Sequence, residues 1–443
     1  MKLWDKGKET EKLVADFTAG KDSQIDYALA AWDIVGTLAH VKMLEKAGLV
    51  TGKELHALEA ELRKIYRAIE NGDFIIEEGV EDVHSQVELM LTAALGDTGK
   101  KVHTARSRND QVLVDLKLFT RAGLRDIAGL MLELFYRLLD LSNRHKDVLM
   151  PGYTHMQVAM PSSFGLWFGA WAECLTEDML LLEAAYRIAD QNPLGSAAGF
   201  GSSFPVDREF TTSLLGFGNM HVNVVNAQMS RGRMEKAAAF AIGSAGSTLS
   251  RLAGDICLYS GQNYGFIKLP EKFTTGSSIM PHKKNPDVFE LVRATGNRLQ
   301  SLPAEISMIC ANLPSGYHRD YQLIKETYLP AFSMLSEIIS VTNRLISEIG
   351  VNEEILDNNI YNDLFSVEEV NRLVMGGMPF REAYRTVAGK IDAGGFKPLT
   401  GIDHTHSGSI GNLCNELIEA KMEKIMSRLD FTTADKAIAG LLG

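Results

Sequence analysis

Apolar side chains recur at alternating steps of three and four residues through the middle of the chain, the spacing of one helix face. The clearest run is Leu124, Ile127, Met131, Leu134, Leu138 and Leu141. Residues 109–145 around it contain no proline, so the pattern predicts one helix roughly 50 Å long. Similar patterns predict helices at about 161–190, 228–262, 285–312 and 325–349. Long helices with apolar stripes favour an all-α fold built on a helix bundle.

Shorter helices are predicted on either side of this bundle. Glycines interrupt residues 1–105 repeatedly, and Thr51 with Glu54 has the pattern of a helix N-cap with a capping box. Beyond residue 350 the predicted helices are again short. We therefore predict an N-terminal helical domain at 1–105, a central long-helix bundle at 106–350 and a C-terminal helical domain at 351–443. No run of alternating apolar and polar residues predicts a β-strand.

Several of the long predicted helices are apolar on more than one face, as buried helices are. The segment 228–262 is also rich in alanine and glycine, which permits a close approach between helices. These faces are more than one chain would cover, so we expect the protein to form an oligomer with the central bundle as its core.

Composition and charge exclude several classes of protein. The formal net charge is −11 and no basic stripe or tail is present, so we expect no nucleic-acid binding. Proline, serine and glutamate interrupt the most apolar stretch, 158–175, so we expect no membrane span. The four cysteines and eleven histidines show no metal-ligand or disulfide spacing. The N-terminus lacks the apolar run of a secretory signal, which favours a cytoplasmic protein.

Residues 274–290 form the segment with the most candidate chemistry. Gly276 permits an unusual backbone turn, and Ser277 beside it offers a hydroxyl group. Lys283 adds a cation and Asn285 an amide donor just before a predicted helix start. Such a loop is suited to holding a negatively charged reaction intermediate. An ordinary surface loop with a helix cap is the structural alternative, because caps and turns favour the same residues.

A second segment, 101–112, lies at the start of the first long predicted helix. Ser107 and Asn109 can cap that helix, which is a sufficient structural reason for their presence. Arg106 and Arg108 are unexpected there, because positive charge is disfavoured at a helix N-terminus. This conflict with a local rule predicts a negatively charged ligand nearby.

A third segment, Pro151-Gly-Tyr-Thr-His-Met-Gln157, joins the first two long predicted helices. His155 is a candidate for proton transfer, since an imidazole titrates near neutral pH. Thr154 beside it offers a hydroxyl that can bind a carboxylate or orient a substrate. A single histidine in a loop is more often structural, so His155 alone does not decide the function.

In their order and spacing, the three segments resemble the characteristic regions of the argininosuccinate lyase family in the fumarase/aspartase superfamily. The strings that carry the resemblance are His103-Thr-Ala-Arg-Ser-Arg-Asn-Asp-Gln111, Pro151-Gly-Tyr-Thr-His155 and Gly276-Ser-Ser-Ile-Met-Pro-His-Lys-Lys-Asn-Pro-Asp287. Sister lyases share the third string in looser form, whereas the first indicates the substrate. Shorter matches, such as Glu81-Asp-Val-His84, extend the resemblance over nearly the whole chain.

The resemblance implies a carbon–nitrogen lyase that splits argininosuccinate reversibly into arginine and fumarate by β-elimination, the last step of arginine biosynthesis. It implies Ser277 as the general base, His155 as the general acid and Glu290 as the group that tunes the histidine. Lys283 would hold the charged carboxylate of the intermediate. A serine is a poor base unless cations, backbone N–H groups and loop closure activate it. No metal or organic cofactor is expected, because the substrate's own carboxylate stores the electrons.

The same resemblance implies substrate-binding roles for further residues. These are Arg108, Asn109, Thr154, Asn285, Tyr317, Gln322, Lys325 and Ser23. The assignment of Ser23 is a substitution, because the family's serine falls at the position of Asp22 and Ser23 follows one step along. The family's Ser-Asp-Arg-Asp string reads Ser230-Arg-Gly-Arg233 here, so neither arginine receives a role. The superfamily also implies a homotetramer whose clefts draw residues from several subunits.

The residues leave several alternatives open. Tyr317 and Gln322 could belong to an ordinary polar loop, and Lys325 to the solvated surface. Another fumarate-forming lyase, such as one that acts on adenylosuccinate, would share most of the motifs. An inactive structural relative would be expected to lack His155, Ser277 or Lys283, and this chain has all three.

Overall fold

The computed structural model describes residues 11–398, 402 and 404–443, which are mainly helical. The first helices are α1 (Lys12–Ala19), α2 (Asp22–Ile25), α3 (Ala30–Lys46), α4 (Gly52–Glu70), α5 (Val83–Leu95) and α6 (Asp97–Lys100). The middle of the chain forms α7 (Arg108–Arg144), α8 (Phe164–Ala189), α9 (Arg208–Leu214), α10 (Val224–Met229), α11 (Arg233–Tyr259), α12 (Asp287–Leu299), α13 (Leu302–Ile309) and α14 (Ile324–Ile346). The last helices are α15 (Ser366–Met375), α16 (Phe380–Asp392), α17 (Asn415–Met426) and α18 (Thr432–Leu442). Residues 1–10, the start of the predicted N-terminal domain, lie outside the described residues.

The longest described helix is α7, whose 37 residues span about 55 Å at 1.5 Å per residue. It packs along α8 and α14, and α11 packs between α8 and α12. Apolar side chains from these helices form one continuous core. The predicted stripe from Leu124 to Leu141 is buried in that core, so the predicted helix bundle is confirmed.

Two of the predicted long helices are each divided in two. The segment 228–262 breaks between α10 and α11 at Gly232, whose φ of 73° lies in the left-handed region that glycine adopts most readily. The segment 285–312 breaks between α12 and α13, where Pro303 occupies the first turn of α13. Proline lacks the N–H that a continuing helix would need, which explains the second break.

A β-hairpin joins α7 to α8, so the prediction that no strand forms was wrong. Its strands β1 (Leu149–Thr154) and β2 (Gln157–Ser163) pair antiparallel and are joined by His155 and Met156. Both turn residues have positive φ, 51° and 59°, as in the tight hairpin turns that usually contain Asn-Gly. His-Met carries no such signal. Two further pairs are short: β3 (Gln191–Asn192) with β4 (Asn219–Met220), and β5 (Ile267–Lys268) with β6 (Gly350–Val351).

A second apolar core lies among α3, α4 and α5 and extends to the first half of α7. The capping box predicted at Thr51 and Glu54 is present at the start of α4. Leu441 of α18 is buried in this core, so the last helix of the chain returns to the first ones. The N-terminal and C-terminal helices thus share one core, and the proposed domain boundaries at 105 and 350 stay a prediction.

The apolar stretch 158–175 forms most of β2 and the first half of α8, where Phe164, Phe168 and Ala172 are fully buried. Across residues 11–398, 402 and 404–443, no helix combines the length and apolar character that a membrane span needs. The four cysteines are unpaired and each is partly buried.

Helices α11 and α12 approach each other closely at Gly246 and Gly296. A Cβ atom added at Gly296 would lie 2.3 Å from the carbonyl oxygen of Gly246. Gly296→Ala should therefore destabilise the protein by about 1–3 kcal/mol, since one of two packed backbones must shift. Thermal unfolding of the purified protein measures this as a lower midpoint.

Gly389→Ala is the matched control for this substitution. Gly389 is exposed within α16, and a Cβ atom there would meet no neighbouring atom. The change should leave stability unchanged or raise it by roughly 0.5–1 kcal/mol, because alanine favours a helix more than glycine does. Equal unfolding midpoints for the two variants would contradict the close packing of α11 on α12.

Candidate active site

A cavity of about 500 Å³ opens at the N-terminal end of α7. Its wall is formed mainly by the start of α7, the start of α14, the segment before α14, the region around the start of α5, and α2 with the turn that follows it; Arg231, between α10 and α11, completes it. Five of the predicted substrate-binding residues lie in this wall: Arg108, Asn109, Tyr317, Gln322 and Lys325. The fold thus brings together residues that are more than 200 positions apart in sequence.

Arg108 occupies the first position of α7, with Asn109 next to it on the cavity wall. The Arg108 guanidinium donates to Gln111 Oε1 at 3.1 Å and to Ser85 Oγ at 3.2 Å. Its Nε lies 3.5 Å from the Asp82 carboxylate, which offsets the unfavourable effect of a cation at a helix N-terminus. Arg108 is only one-quarter exposed, so it is held in place at the cavity.

Arg106 has a different environment from Arg108. It donates to Thr37 Oγ1 at 3.0 Å. Burial lowers the pKa of Arg106, and the carboxylates of Asp33 and Asp110 oppose that effect. Carboxylates of the same chain therefore balance the positive charge of Arg106. The negatively charged ligand predicted from the position of Arg106 is not needed to explain why an arginine occurs there.

Lys325 is buried and lies at the inner end of the cavity. Its Nζ is 2.7 Å from Asp26 Oδ1 and 2.8 Å from Asp22 Oδ1. Burial opposes its charge, but the two carboxylates raise the pKa of Lys325 above its ordinary value. The alternative of a solvated surface lysine is therefore wrong. Ser23 is exposed and Asp22 lines the cavity in its place.

Gln322 connects the cavity to the first described helix. Its amide nitrogen donates to the carbonyl oxygens of Ala19 at 3.0 Å and of Thr18 at 3.2 Å. Its amide oxygen accepts from Arg319 at 3.1 Å. Tyr317 is partly buried in the same wall, and the segment from Tyr317 to Gln322 is thus fixed by contacts with distant parts of the chain.

Thr154 and His155 lie at the tip of the hairpin, beyond the C-terminal end of α7, and both are exposed. The hairpin is anchored just below its tip, because the ring of Tyr153 packs 5.6 Å from that of Tyr264 and 6.0 Å from that of Phe266. The left-handed backbone of His155 is uncommon for a residue with a side chain. Such strain is often found at functional positions.

The loop 274–286 lies at the same end of the bundle as the hairpin. It follows Phe273, which packs against Arg344 in the last turn of α14, and it leads into α12. Ser277 Oγ accepts from the backbone N–H groups of Met280 at 3.2 Å and Ile279 at 3.4 Å. Backbone donors of this kind stabilise negative charge on an oxygen atom.

The remaining predicted residues lie at the C-terminal end of this loop and at the start of α12. Asn285 pairs with Thr275 through two backbone hydrogen bonds of 2.8 and 3.2 Å, which close the loop. The side-chain amide of Asn285 donates to the carbonyl oxygen of Gly276 at 3.3 Å. Lys283 is exposed, and Glu290 is exposed on the first turn of α12.

The predicted site residues therefore form two groups at opposite ends of α7. The cavity group consists of Arg108, Asn109, Tyr317, Gln322 and Lys325. The distal group consists of Thr154, His155, Ser277, Lys283, Asn285 and Glu290. Because α7 is about 55 Å long, no hydrogen bond or ion pair joins the two groups in the described part of the chain. Within one chain the two groups are separate, and we call each of them a half-site of the predicted site.

The cavity also contains residues to which the sequence assigned no role. Asp22, Asp26, Glu81 and Asp82 are carboxylates in its wall, and Arg231 and Arg319 are further cations. Arg231 is buried, 2.7 Å from Glu235. Asp22 and Asp26 are four residues apart, a spacing that places both on one side of a helical turn. This spacing is the sequence signal from which their common contact with Lys325 could have been predicted.

One cluster in the described part of the chain has the donor types of a metal site: Asp33, His84 and Asp115, whose ligand atoms lie within 4.8 Å of each other. His84 Nδ1 is 3.1 Å from Asp33, which also accepts from Gln111 at 2.6 Å. Burial would raise the pKa of Asp33, but the charge and hydrogen bond of His84 lower it to about 2. Burial raises the pKa of Asp115, which favours its neutral form. We interpret this cluster as a polar link among α3, α5 and α7.

Solved structures with a similar fold include a lyase and a fumarase. EDDS lyase in complex with formate superposes with a TM-score of 0.78 at 22% identity, covering 98% of this chain and 94% of that one. A class II fumarase from Schistosoma mansoni gives a TM-score of 0.70 at 17% identity, covering 94% of this chain and 90% of that one. At this identity the likeness shows the fold, a long-helix bundle of the fumarase/aspartase type.

Sequence comparison is more specific. Residues 6–300 match a family described as Lyase. The argininosuccinate lyase of Parabacteroides distasonis is 58% identical over 436 residues, 98% of each chain. That of Phocaeicola vulgatus is 57% identical over 442 residues, 100% of this chain and 99% of that protein. That of Thermotoga neapolitana is 40% identical over 389 residues, 88% of this chain and 98% of that protein. This chain therefore belongs to the argininosuccinate lyase family and is a carbon–nitrogen lyase.

Proposed function

We propose that this enzyme splits argininosuccinate into arginine and fumarate, reversibly, as the last step of arginine biosynthesis in the cytoplasm. The observation that carries the proposal is the 58% identity with an argininosuccinate lyase over 98% of both chains. The site supports it, because the cavity group offers both cations and carboxylates to a zwitterionic amino acid. The distal group offers a hydroxyl, an imidazole and a lysine for the elimination.

The reaction needs a base and an acid on opposite sides of one bond. Ser277 removes a proton from the carbon next to a carboxylate of the succinyl part, which leaves an aci-carboxylate with extra negative charge. Lys283 and Asn285 stabilise that charge. The electron pair then forms the double bond of fumarate while the carbon–nitrogen bond breaks, and His155 protonates the departing guanidino nitrogen of arginine. Glu290 tunes the histidine.

Ser277 must be activated before it can act as a base. Its Oγ already accepts two backbone N–H bonds, from Ile279 and Met280, and these donors favour its alkoxide form. The exposed Lys283 on the same loop supplies a positive charge. Closure of the loop over the substrate would remove water and strengthen both effects.

A complete site requires more than one copy of the chain, since the two half-sites lie at opposite ends of α7. We propose a homotetramer in which the distal group of some subunits faces the cavity group of another. Large apolar residues exposed on α8 and α11, among them Leu180, Leu181 and Phe240, supply surface for this association. In that arrangement Thr154 would join Arg108 and Asn109 around the substrate.

A substrate panel tests the reaction directly. The purified enzyme should release fumarate from argininosuccinate, measured by the absorbance of fumarate, and should leave adenylosuccinate unchanged. Adenylosuccinate is the informative competitor, because a lyase acting on it would share the loop chemistry around Ser277. Turnover of adenylosuccinate with none of argininosuccinate would refute the proposed substrate.

His155→Ala and Ser277→Ala test the two proton-transfer roles. Each should lower kcat by about 10²–10⁴-fold, the usual contribution of a positioned acid or base. Both side chains are at least partly exposed, so size-exclusion chromatography should show an unchanged assembly.

Ser278→Ala is the matched control, because it removes a neighbouring hydroxyl that is exposed on the same loop. It should retain most of its activity. Normal activity in the Ser277→Ala enzyme, or an equal loss in the Ser278→Ala enzyme, would contradict the assignment of the base.

A further inference from the structure

The imidazole of His155 has no partner within its own chain that fixes its direction. In the described part of the chain, no hydrogen bond, ion pair or ring contact involves this ring. A proton donor must point at the atom that it protonates, and a misplacement of about 1 Å can cost about 10²-fold in rate. The direction of the imidazole therefore depends on the backbone that carries it.

The turn that carries His155 does not hold itself in place. His155 and Met156 have φ angles of 51° and 59°, in the left-handed region that is unfavourable for residues with a side chain. Such a backbone persists only where the surrounding structure over-determines it. Both side chains are exposed, so the contacts that hold the turn must come from the strands on either side of it.

Tyr153 is the residue that connects the turn to the core. Only one residue pair of the hairpin lies between Tyr153 and the turn. The ring of Tyr153 packs on those of Tyr264 and Phe266, and Phe266 is fully buried. Val158, which faces Tyr153 on the other strand, is exposed. The second strand therefore offers no comparable anchor at this level of the hairpin.

The hydroxyl group of Tyr153 provides a second attachment. It shares a hydrogen bond with Tyr361, a residue 2% exposed in a short 3-10 helix, Asn359–Phe365, that packs against β2. Burial and this hydrogen bond raise the pKa of Tyr153, so the phenol is uncharged near neutral pH. Tyr153 therefore carries no charge with which to tune a neighbouring histidine.

We propose that Tyr153 is the positioning residue of His155, because its anchored ring sets the direction in which the strained turn presents the imidazole to the departing guanidino nitrogen. This inference rests on the proposed function, in which His155 is the general acid. The ring of Tyr153 faces the core, so it acts through His155 and not on the substrate. Loss of the ring should slow the breaking of the carbon–nitrogen bond and leave the earlier removal of a proton by Ser277 unchanged.

These two steps can be measured separately in heavy water. After Ser277 has removed the proton, the aci-carboxylate has two fates. In one, the carbon–nitrogen bond breaks, its electrons leave with the guanidino nitrogen, which takes the deuteron held by His155, and fumarate is released. In the other, the same carbon regains a deuteron from Ser277, whose hydroxyl has exchanged with solvent, and NMR detects labelled argininosuccinate. The ratio of labelling to fumarate release reports how well the acid step competes.

Tyr153→Leu removes the ring contacts and keeps the position apolar. It should lower kcat by about 10–100-fold and change KM by less than about twofold. The ratio of labelling to fumarate release should rise by a similar factor. Tyr153→Phe keeps the ring and loses one hydrogen bond, so its kcat should stay within about fivefold of the wild-type value. An unchanged kcat in the Tyr153→Leu enzyme, or a parallel fall in labelling and fumarate release, would overturn the proposal.

A double variant tests whether Tyr153 acts through His155. The His155→Ala enzyme has no imidazole left to orient, so adding Tyr153→Leu to it should lower kcat by less than about twofold more. Losses that multiply would show a role independent of His155, which contradicts positioning.

Tyr186→Leu is the matched control. Tyr186 is a buried tyrosine that packs on Phe431, away from the hairpin. Its replacement should lower the midpoint of thermal unfolding and leave the labelling ratio unchanged. If it raised the ratio as much as Tyr153→Leu does, loss of stability would explain both results and the proposal would fail.

Two further variants separate the remaining outcomes. If the Tyr153→Leu enzyme does not assemble, Tyr264→Leu decides, because it removes the ring on the other side of the same contact. It should raise the labelling ratio, and an unchanged ratio would overturn the proposal. An unchanged ratio in the His155→Ala enzyme would instead refute the proposed function, in which His155 supplies the proton.

Discussion

The length and rigidity of α7 constrain everything else in this protein. The helix is capped at Ser107, packed along α8 and α14, and about 55 Å long. A helix packed along most of its length cannot fold back on itself, so its two ends stay apart. One end carries the cavity with Arg108 and Lys325, and the other carries the hairpin with His155 and the loop with Ser277. This separation is why association between copies becomes part of the chemistry in our account.

The two ends differ in character as well as position. The cavity residues are held by contacts between distant segments, such as the ion pairs of Lys325 with Asp22 and Asp26. The distal residues lie on an exposed hairpin tip and on a loop that is largely exposed. In the proposed mechanism the cavity would recognise the substrate and the exposed loop would close over it, which would admit the substrate and then exclude water.

The helices could be predicted from sequence because apolar spacing determines which face is buried. The first and last of the long helices begin within one residue of their predicted starts, and two of the other three are broken, at Gly232 and just before Pro303. The hairpin could not be predicted, since His155 and Met156 adopt a backbone that their residue types do not signal. For the site, the sequence motifs identified the candidate residues but did not show that these residues lie at opposite ends of α7. The sequence alone does not show which of Asp22 and Ser23 faces the cavity, because this depends on the direction in which each side chain leaves the helical turn. In the structure Asp22 lines the cavity and Ser23 is exposed.

The most direct test of the central claim is complementation between subunits. Asn109→Ala damages the cavity end and His155→Ala the distal end, and neither residue is part of the buried core. The two variants, carrying different tags, should be co-expressed and purified through both tags, and fumarate release measured. If sites are shared between copies, the mixed assembly contains some sites with both groups intact, and its activity should exceed that of either parent clearly. Activity no higher than the average of the two parents would contradict a site built from opposite ends of different chains.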